Sequence, residues 1–375
     1  MLAPAEQTVE APLTERTFVA LDGLRGVAAI MVALRHAPFL WAIPATPTGW
    51  MKNSYLAVDL FFVLSGFVLE HAYGRRFREG MSLRSFMLAR LQRLYPLYAL
   101  AFILALPFLI VQLGEGVLGP AQAVIEFLCG ALMLPTPNFA YPKADLYPLN
   151  FAAWSLFFEL LANLLFAAFG RRLDTKFLIW FVGGSAFGLA VCATAGWLGF
   201  GIESDMRGVL GGGPSWETFG AGVLRVGFSF FAGVLIYRFY DRKRQPSASL
   251  GSAIAAFAVV TGILALGFSA ASDLAATLFS VIVIFPLAIM TCARFEPPKG
   301  AVKNTMRTLG LLSYGLYVLQ GVTFYAAEVC ARHLGIQSVW IGLCAMPVVA
   351  AIAYAATVFV DLPARRWMKQ ALKGF

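Results

Sequence analysis

The sequence predicts an all-α, polytopic integral membrane bundle of about ten transmembrane helices, with both termini in the cytoplasm. Three observations carry that expectation. First, 59% of the 375 residues are hydrophobic, only 13% are charged, and the mean hydropathy is +0.74; a soluble domain is about 45–50% apolar and about 25% charged. Second, the chain carries repeated apolar runs of about twenty residues, the length that crosses about 30 Å of hydrocarbon, rather than the alternating segments of a β-barrel. Third, threading ten such runs through a bilayer gathers nearly all basic residues on one side. A water-soluble enzyme, a disordered chain and a small disulfide scaffold are all excluded by the same composition.

The spans expected in order are 17–40, 54–73, 91–113, 150–169, 177–198, 219–240, 250–267, 274–292, 308–330 and 338–360. Basic clusters follow the second span (Arg75, Arg76, Arg78, Arg84, Arg90, Arg93), the fourth (Arg171, Arg172, Lys176), the sixth (Arg238, Arg242, Lys243, Arg244), the eighth (Arg294, Lys299, Lys303, Arg307) and the tenth (Arg365, Arg366, Lys369, Lys373). With Arg16, 22 of the 29 basic residues fall on one side. Lys52, Lys143, Arg207 and Arg332 fall on the other, while Arg25, Arg35 and Arg225 sit within spans. The positive-inside rule makes the crowded side the cytoplasm. The net charge of +9 is therefore a topology signal and not the footprint of a nucleic-acid partner.

Parity then places 114–149 outside, so its short apolar run 121–134 is re-entrant or interfacial, and Pro135, Pro137, Pro142 and Pro148 suit a shaped loop or lid. The expected organisation is a cytoplasmic tail 1–16, one transmembrane domain 17–367, and a cytoplasmic tail 368–375. Glu6, Glu10 and Glu15 in the first segment argue against a cleavable signal peptide. The loop carrying Arg207, Glu217 and Gly211–Gly213 beside Trp216 is read as solvated. Cys129, Cys192, Cys292, Cys330 and Cys344 stand singly in apolar stretches and read as small buried hydrophobes. With only His36, His71 and His333 besides, no metal site is expected.

Ionisable side chains inside spans cost a few kcal/mol each and mark function by default. The first span holds four: Asp22, Arg25, Arg35 and His36. Arg25 and His36 are eleven residues apart, which on a helix puts them within roughly 20° of one face and about 16–17 Å apart along the axis. A permanent cation at one depth and a titratable imidazole further out suit a long ligand with an anionic head and a reactive tail. An acyl-CoA thioester has that form. In the second span, Asp59 lies near the depth of His36 and could orient the imidazole. Ser65 and Gly66 lie deeper, where a small polar surface lets a ligand approach or lets another helix pack. Arg90 and Arg93 share a face at the cytoplasmic mouth and can hold the anionic head beside Arg25. Glu159, near the midplane of the fourth span, competes with Asp59 to partner His36.

These motifs together resemble membrane acyltransferase family 3, the O-acetylases that act on O-antigens, exopolysaccharides and Nod factors. LDGLRGVAAIMVALRH matches its Arg-x10-His signature, and VDLFFVLSGF, RLQRLYP, WSLFFE, SYGLYVLQ and the closing VDLPARR are similar to further stretches in the same order. The resemblance implies a fold of about ten helices, an essential Arg25–His36 pair, an Arg-x-x-Arg element at Arg90 and Arg93, and an acidic residue at Glu159. Gln320 departs from it, standing where many members have a histidine. A fused SGNH hydrolase-like domain, which some relatives carry, is not expected. The bundle would then act alone or with a separate extracytoplasmic or polysaccharide-synthesis partner.

The expected activity moves an acyl group, acetyl by the resemblance, from acyl-CoA to a hydroxyl of a cell-surface or lipid-linked carbohydrate. His36 would act as general base, Asp59 or Glu159 as its partner, and Arg25, Arg90, Arg93, Ser65 and Gly66 as donor-binding residues. Direct transfer and an acyl-enzyme relay both remain open. The expected location is the bacterial cytoplasmic (inner) membrane, with its lipids as surroundings. The alternative is a secondary transporter that uses the buried Arg, His and Glu for coupling.

Overall fold

The computed structural model describes residues 18–39, 51–140, 145–170, 173–202, 208–240, 248–268, 273–335 and 339–371. The expectations for the tail 1–16, for the residues beyond Ala371, and for Arg16, Lys143, Arg171, Arg172, Arg207, Arg242, Lys243, Arg244 and Lys373 fall outside these residues. The described chain is helical. It contains no strand, only an isolated antiparallel bridge between Asp145 and Ser215.

The helices are α1 (Val19–Phe39), α2 (Ala57–Arg78), α3 (Leu83–Gly114), α4 (Pro120–Ala131), α5 (Ala153–Phe169), α6 (Thr175–Ala195), α7 (Phe219–Phe239), α8 (Leu250–Ala265), α9 (Asp273–Ala293), α10 (Ala301–His333), α11 (Val339–Ala356) and α12 (Leu362–Ala371). Among the described residues seven stretches are long and apolar enough to cross a bilayer, and they fall on α2, α3, α6, α7, α9, α10 and the run from α11 into α12. The apolar helices α5 and α8 are shorter, at 17 and 16 residues. The 21-residue α1 carries Asp22, Arg25, Arg35 and His36.

Each expected span corresponds to a helix, and the differences lie at the ends. α3 begins at Leu83 rather than near residue 91, because the Ser82 hydroxyl accepts from the Ser85 N–H at 3.1 Å and caps the helix there. Its first turns carry Arg84, Arg90 and Arg93, polar residues that extend a helix past the point where hydropathy fades. The last span likewise runs on through a π-helical turn, Thr357–Asp361, into the amphipathic α12. A second π turn, Ser280–Ile284, interrupts α9.

Two helix pairs form the frame. α1 packs along α10, and α2 along α7. Both depend on glycine. A Cβ on Gly66 would overlap the Phe230 carbonyl, and one on Gly233 would overlap that of Val63, so α2 and α7 touch backbone to backbone. The run 121–134 folds as α4, which lies back along α3: the Tyr98 hydroxyl donates to the Gly130 carbonyl, and Tyr95 to that of Ala131 at 2.8 Å. Because Tyr95 and Tyr98 lie 16 to 19 residues before the end of α3 at Gly114, α4 reaches about 24–28 Å back along that helix. α4 is thus a hairpin partner of α3, a packing that fits a re-entrant and an interfacial helix equally.

Candidate functional site

Two cavities lie end to end inside the bundle. One, of about 180 Å³, is lined by Arg25, Ser65, Arg90, Arg93, Glu159, Ser313 and Tyr314, among others. The other, of about 300 Å³, is lined by Arg35, His36, Tyr55, Asp145, Tyr147, Trp154, Arg225 and Gln320, with Gly211, Gly212 and Pro214 on one wall. Val58 and Tyr317 border both. The first is called here the arginine cavity and the second the histidine cavity.

In the arginine cavity, Arg25 reaches across to α10. Its Nε donates to the Ser313 hydroxyl at 2.8 Å, and its Nη2 to the Gly310 carbonyl at 2.8 Å and to Asp22 at 3.1 Å. Glu159 accepts from Arg90 Nη2 at 2.7 Å and from the Ser65 hydroxyl at 3.0 Å. The Arg93 guanidinium lies over the Tyr314 ring, 5.1 Å from its centroid. Two buried donors, Arg90 Nε and Arg93 Nη1, have no hydrogen-bond partner. Buried guanidinium N–H groups are almost always satisfied, so unpaired ones beside a cavity leave it short of acceptors. Of the residues expected on the donor side, Arg25, Arg90, Arg93 and Ser65 meet here.

Gly66 does not reach the cavity. It faces the backbone of α7, and the packing alternative for it prevails. Glu159 sits among the arginines, and its bonds go to Arg90 and Ser65 rather than to His36. Asp59 is likewise engaged elsewhere. Its carboxylate, 0% exposed, takes Arg225 Nη2 at 2.6 Å and Nε at 3.3 Å. A buried cation on the facing helix outcompetes a neutral imidazole for a buried carboxylate.

In the histidine cavity, the His36 ring packs on Phe151 with centroids 4.6 Å apart, and its Nδ1 makes no hydrogen bond. The Gln320 amide and the Val32 carbonyl border the imidazole. Gln320 Nε2 donates to the Tyr317 carbonyl at 3.2 Å, while its Oε1 is buried without a partner. Arg225 donates to the Gly212 carbonyl at 2.8 Å and lies 5.9 Å from the Tyr55 and Trp154 ring centroids. Burial raises the Tyr147 phenol well above its usual value, so it remains a donor, to the Met133 carbonyl at 2.8 Å. Gly211–Gly213 are buried in this wall, and Trp216 Nε1 donates to the Thr136 carbonyl at 2.8 Å. The solvated-loop reading of that glycine run is thus corrected: the bridge between Asp145 and Ser215 folds it inward over the cavity. Glu217 is exposed.

Sequence reasoning missed Arg225, Gln320, Tyr55, Trp154 and Tyr317 as site residues. Arg225 was marked by its charge within a span, a signal that by itself points to function. Trp154, Tyr317 and Gln320 stand within WSLFFE and SYGLYVLQ, two of the stretches that carry the resemblance, and Gln320 is the departure noted there; Tyr55 has no distinguishing spacing. The Asp361–Arg365 ion pair was visible only as part of the closing motif. In the fold, Arg365 lies within electrostatic reach of Arg90 and Arg93.

The family model described as acyltransferase domain, acyltransferase family 3, matches residues 18–358. The chain belongs to this family. It is a membrane acyltransferase, and membership decides between the two activities that the residues left open, in favour of acyl transfer over secondary transport. It is 41% identical over 189 residues to "Protein 2 in picA locus" of Rhizobium radiobacter, a match covering 47% of this chain and 94% of that protein. It is 35% identical over 78 residues to "Peptidoglycan O-acetyltransferase OatA" of Listeria monocytogenes, covering 20% of this chain and 11% of that protein. No solved structure matches. Among the described residues no cluster of His, Cys, Asp or Glu could hold a metal ion.

Proposed function

We propose that the protein transfers an acetyl group from cytoplasmic acetyl-CoA to a hydroxyl of a cell-surface or lipid-linked carbohydrate, in the bacterial inner membrane. The observation that carries this reading is the pairing of the cavities: unsatisfied arginine donors in one, a buried imidazole in the other, and a shared wall between. The anionic head of the donor would lie at the cytoplasmic mouth against Arg25, Arg90 and Arg93, with the thioester pointing along the bundle toward His36. A guanidinium supplies directed donors for phosphate oxygens. The volume of the arginine cavity, about 180 Å³, suits the slender arm of the donor and leaves its nucleotide outside.

The carbohydrate would enter the histidine cavity, where Trp154, Tyr55 and Tyr147 offer aromatic faces and Arg225, Asp145 and Gln320 offer polar contacts. The acceptor hydroxyl gives its proton to His36 as its oxygen bonds to the carbonyl carbon. The C–S bond then breaks, and the proton passes to the departing thiolate, leaving an ester and a free thiol. The peptidoglycan O-acetyltransferase relative supports both the acetyl group and a sugar acceptor.

The test uses wild-type and His36→Ala protein in liposomes with labelled acetyl-CoA and a glycolipid fraction as acceptor. Wild type transfers label and the variant is slower by about 10²–10⁴, the usual contribution of a general base. Equal transfer by both would overturn the role of His36.

A further inference from the structure

The two cavities are separated by very little. Val58 of α2 and Tyr317 of α10 border both, and among the described residues no other does. Tyr317 is held across the gap. Its hydroxyl lies 2.7 Å from the Ser155 Oγ, which itself donates to the Ala152 carbonyl at 3.0 Å, so the phenol is the donor to Ser155. Phe61 braces the ring edge-on at 5.7 Å between centroids. The carbonyl of Tyr317 accepts from Gln320, which borders His36. The partition is therefore tied to α5 on one side and to the imidazole's surroundings on the other.

We propose that Tyr317 and Val58 form the constriction that the acyl group occupies during transfer, and that they set the size of the acyl group accepted. The proposal rests on the acyl-transfer reading above. An acyl donor held by arginines in one cavity can meet a hydroxyl at His36 in the other only across this wall. The carbonyl and its substituent must therefore fit beside the Tyr317 ring and the Val58 methyls. Both side chains are buried, at 7% and 6% exposure, so the space is bounded by packed atoms rather than by movable surface groups. A packed apolar wall discriminates single methylenes by about 10–200-fold.

The experiment measures kcat/KM for acetyl-, propionyl- and butyryl-CoA with wild type and three variants. Wild type prefers acetyl. Val58→Ala, which removes two methyl groups from the wall, raises the butyryl-to-acetyl ratio at least about 10-fold. Val58→Ile narrows the wall and lowers transfer of every donor, propionyl and butyryl more than acetyl. Tyr317→Phe keeps the ring and loses only the bond to Ser155, so it preserves the ratio. A monodisperse detergent-solubilised peak confirms that each variant is folded, and Val58→Ile keeps the test alive if Val58→Ala is not. An active wild type whose two Val58 variants both keep its ratios would overturn the constriction alone. A wild type that transfers no acyl group to any acceptor would overturn the acyl-transfer reading and the constriction together.

Discussion

At the scale of single residues, the arginines of this bundle divide by what satisfies them. Arg225, 3% exposed, is matched by Asp59 and the Gly212 carbonyl, whereas Arg93 keeps a buried donor unpaired. Their removal has opposite signatures. Arg225→Ala strands the Asp59 carboxylate in the apolar interior and costs about 3–5 kcal/mol, seen as a lower melting temperature. The double replacement Asp59→Leu, Arg225→Leu recovers much of that loss. Arg93→Ala strands nothing, so it leaves the melting temperature near wild type and raises KM for the donor about 10–100-fold, the worth of one charge-assisted hydrogen bond. Arg25 and His36 were legible in the sequence because both lie on one helix, where spacing fixes the shared face. Partnership across helices was not legible. Asp59, near the depth of His36, and Glu159, near the midplane, both stood as candidates to partner it, and only the packing of α7 and α3 shows that Arg225 and Arg90 claim them.

At the scale of elements, glycine decides how closely helices approach. α2 and α7 touch through Gly66 and Gly233, each against the other's backbone carbonyl. Gly66→Val therefore forces the pair apart, costing at least about 1–3 kcal/mol, and lowers the yield of folded protein in a thermal-shift or detergent-stability assay. Tyr98→Phe removes the donor to the Gly130 carbonyl and loosens α4 from α3 by about 1 kcal/mol, detectable as faster hydrogen exchange in 120–131. Helix existence was readable from apolar runs, including the short run 121–134 that folds as α4. The starts of α3 and α10 were not, since charged residues at the membrane surface prolong a helix without any hydropathy signal. The inward fold of Gly211–Gly213 was hidden for a different reason: its partner, Asp145, is some seventy residues away, and a single bridge carries no local pattern.

At the scale of the whole molecule, the bundle sets two cavities in line, and the helices around them are unequal. α5 and α8, with 17 and 16 residues, reach about 25 Å and about 24 Å, short of the roughly 30 Å of a typical hydrocarbon core. α3, with 32 residues, reaches about 48 Å. A bilayer meeting α5 and α8 must thin or pull polar headgroups toward them, at fractions of a kcal/mol per Å of mismatch. α5 is the helix that carries Trp154, Ser155 and Glu159, residues of both cavities, so a change of bilayer thickness is expected to reach both cavities through the seating of this one helix. Transfer rates measured in vesicles of short-, medium- and long-chain phospholipids should fall as the chains lengthen. Lengthening the apolar stretch of α8, which lines neither cavity, should leave that dependence in place, since the cavities are reached through α5. The lipid that surrounds the protein is then a setting of its turnover as well as its solvent.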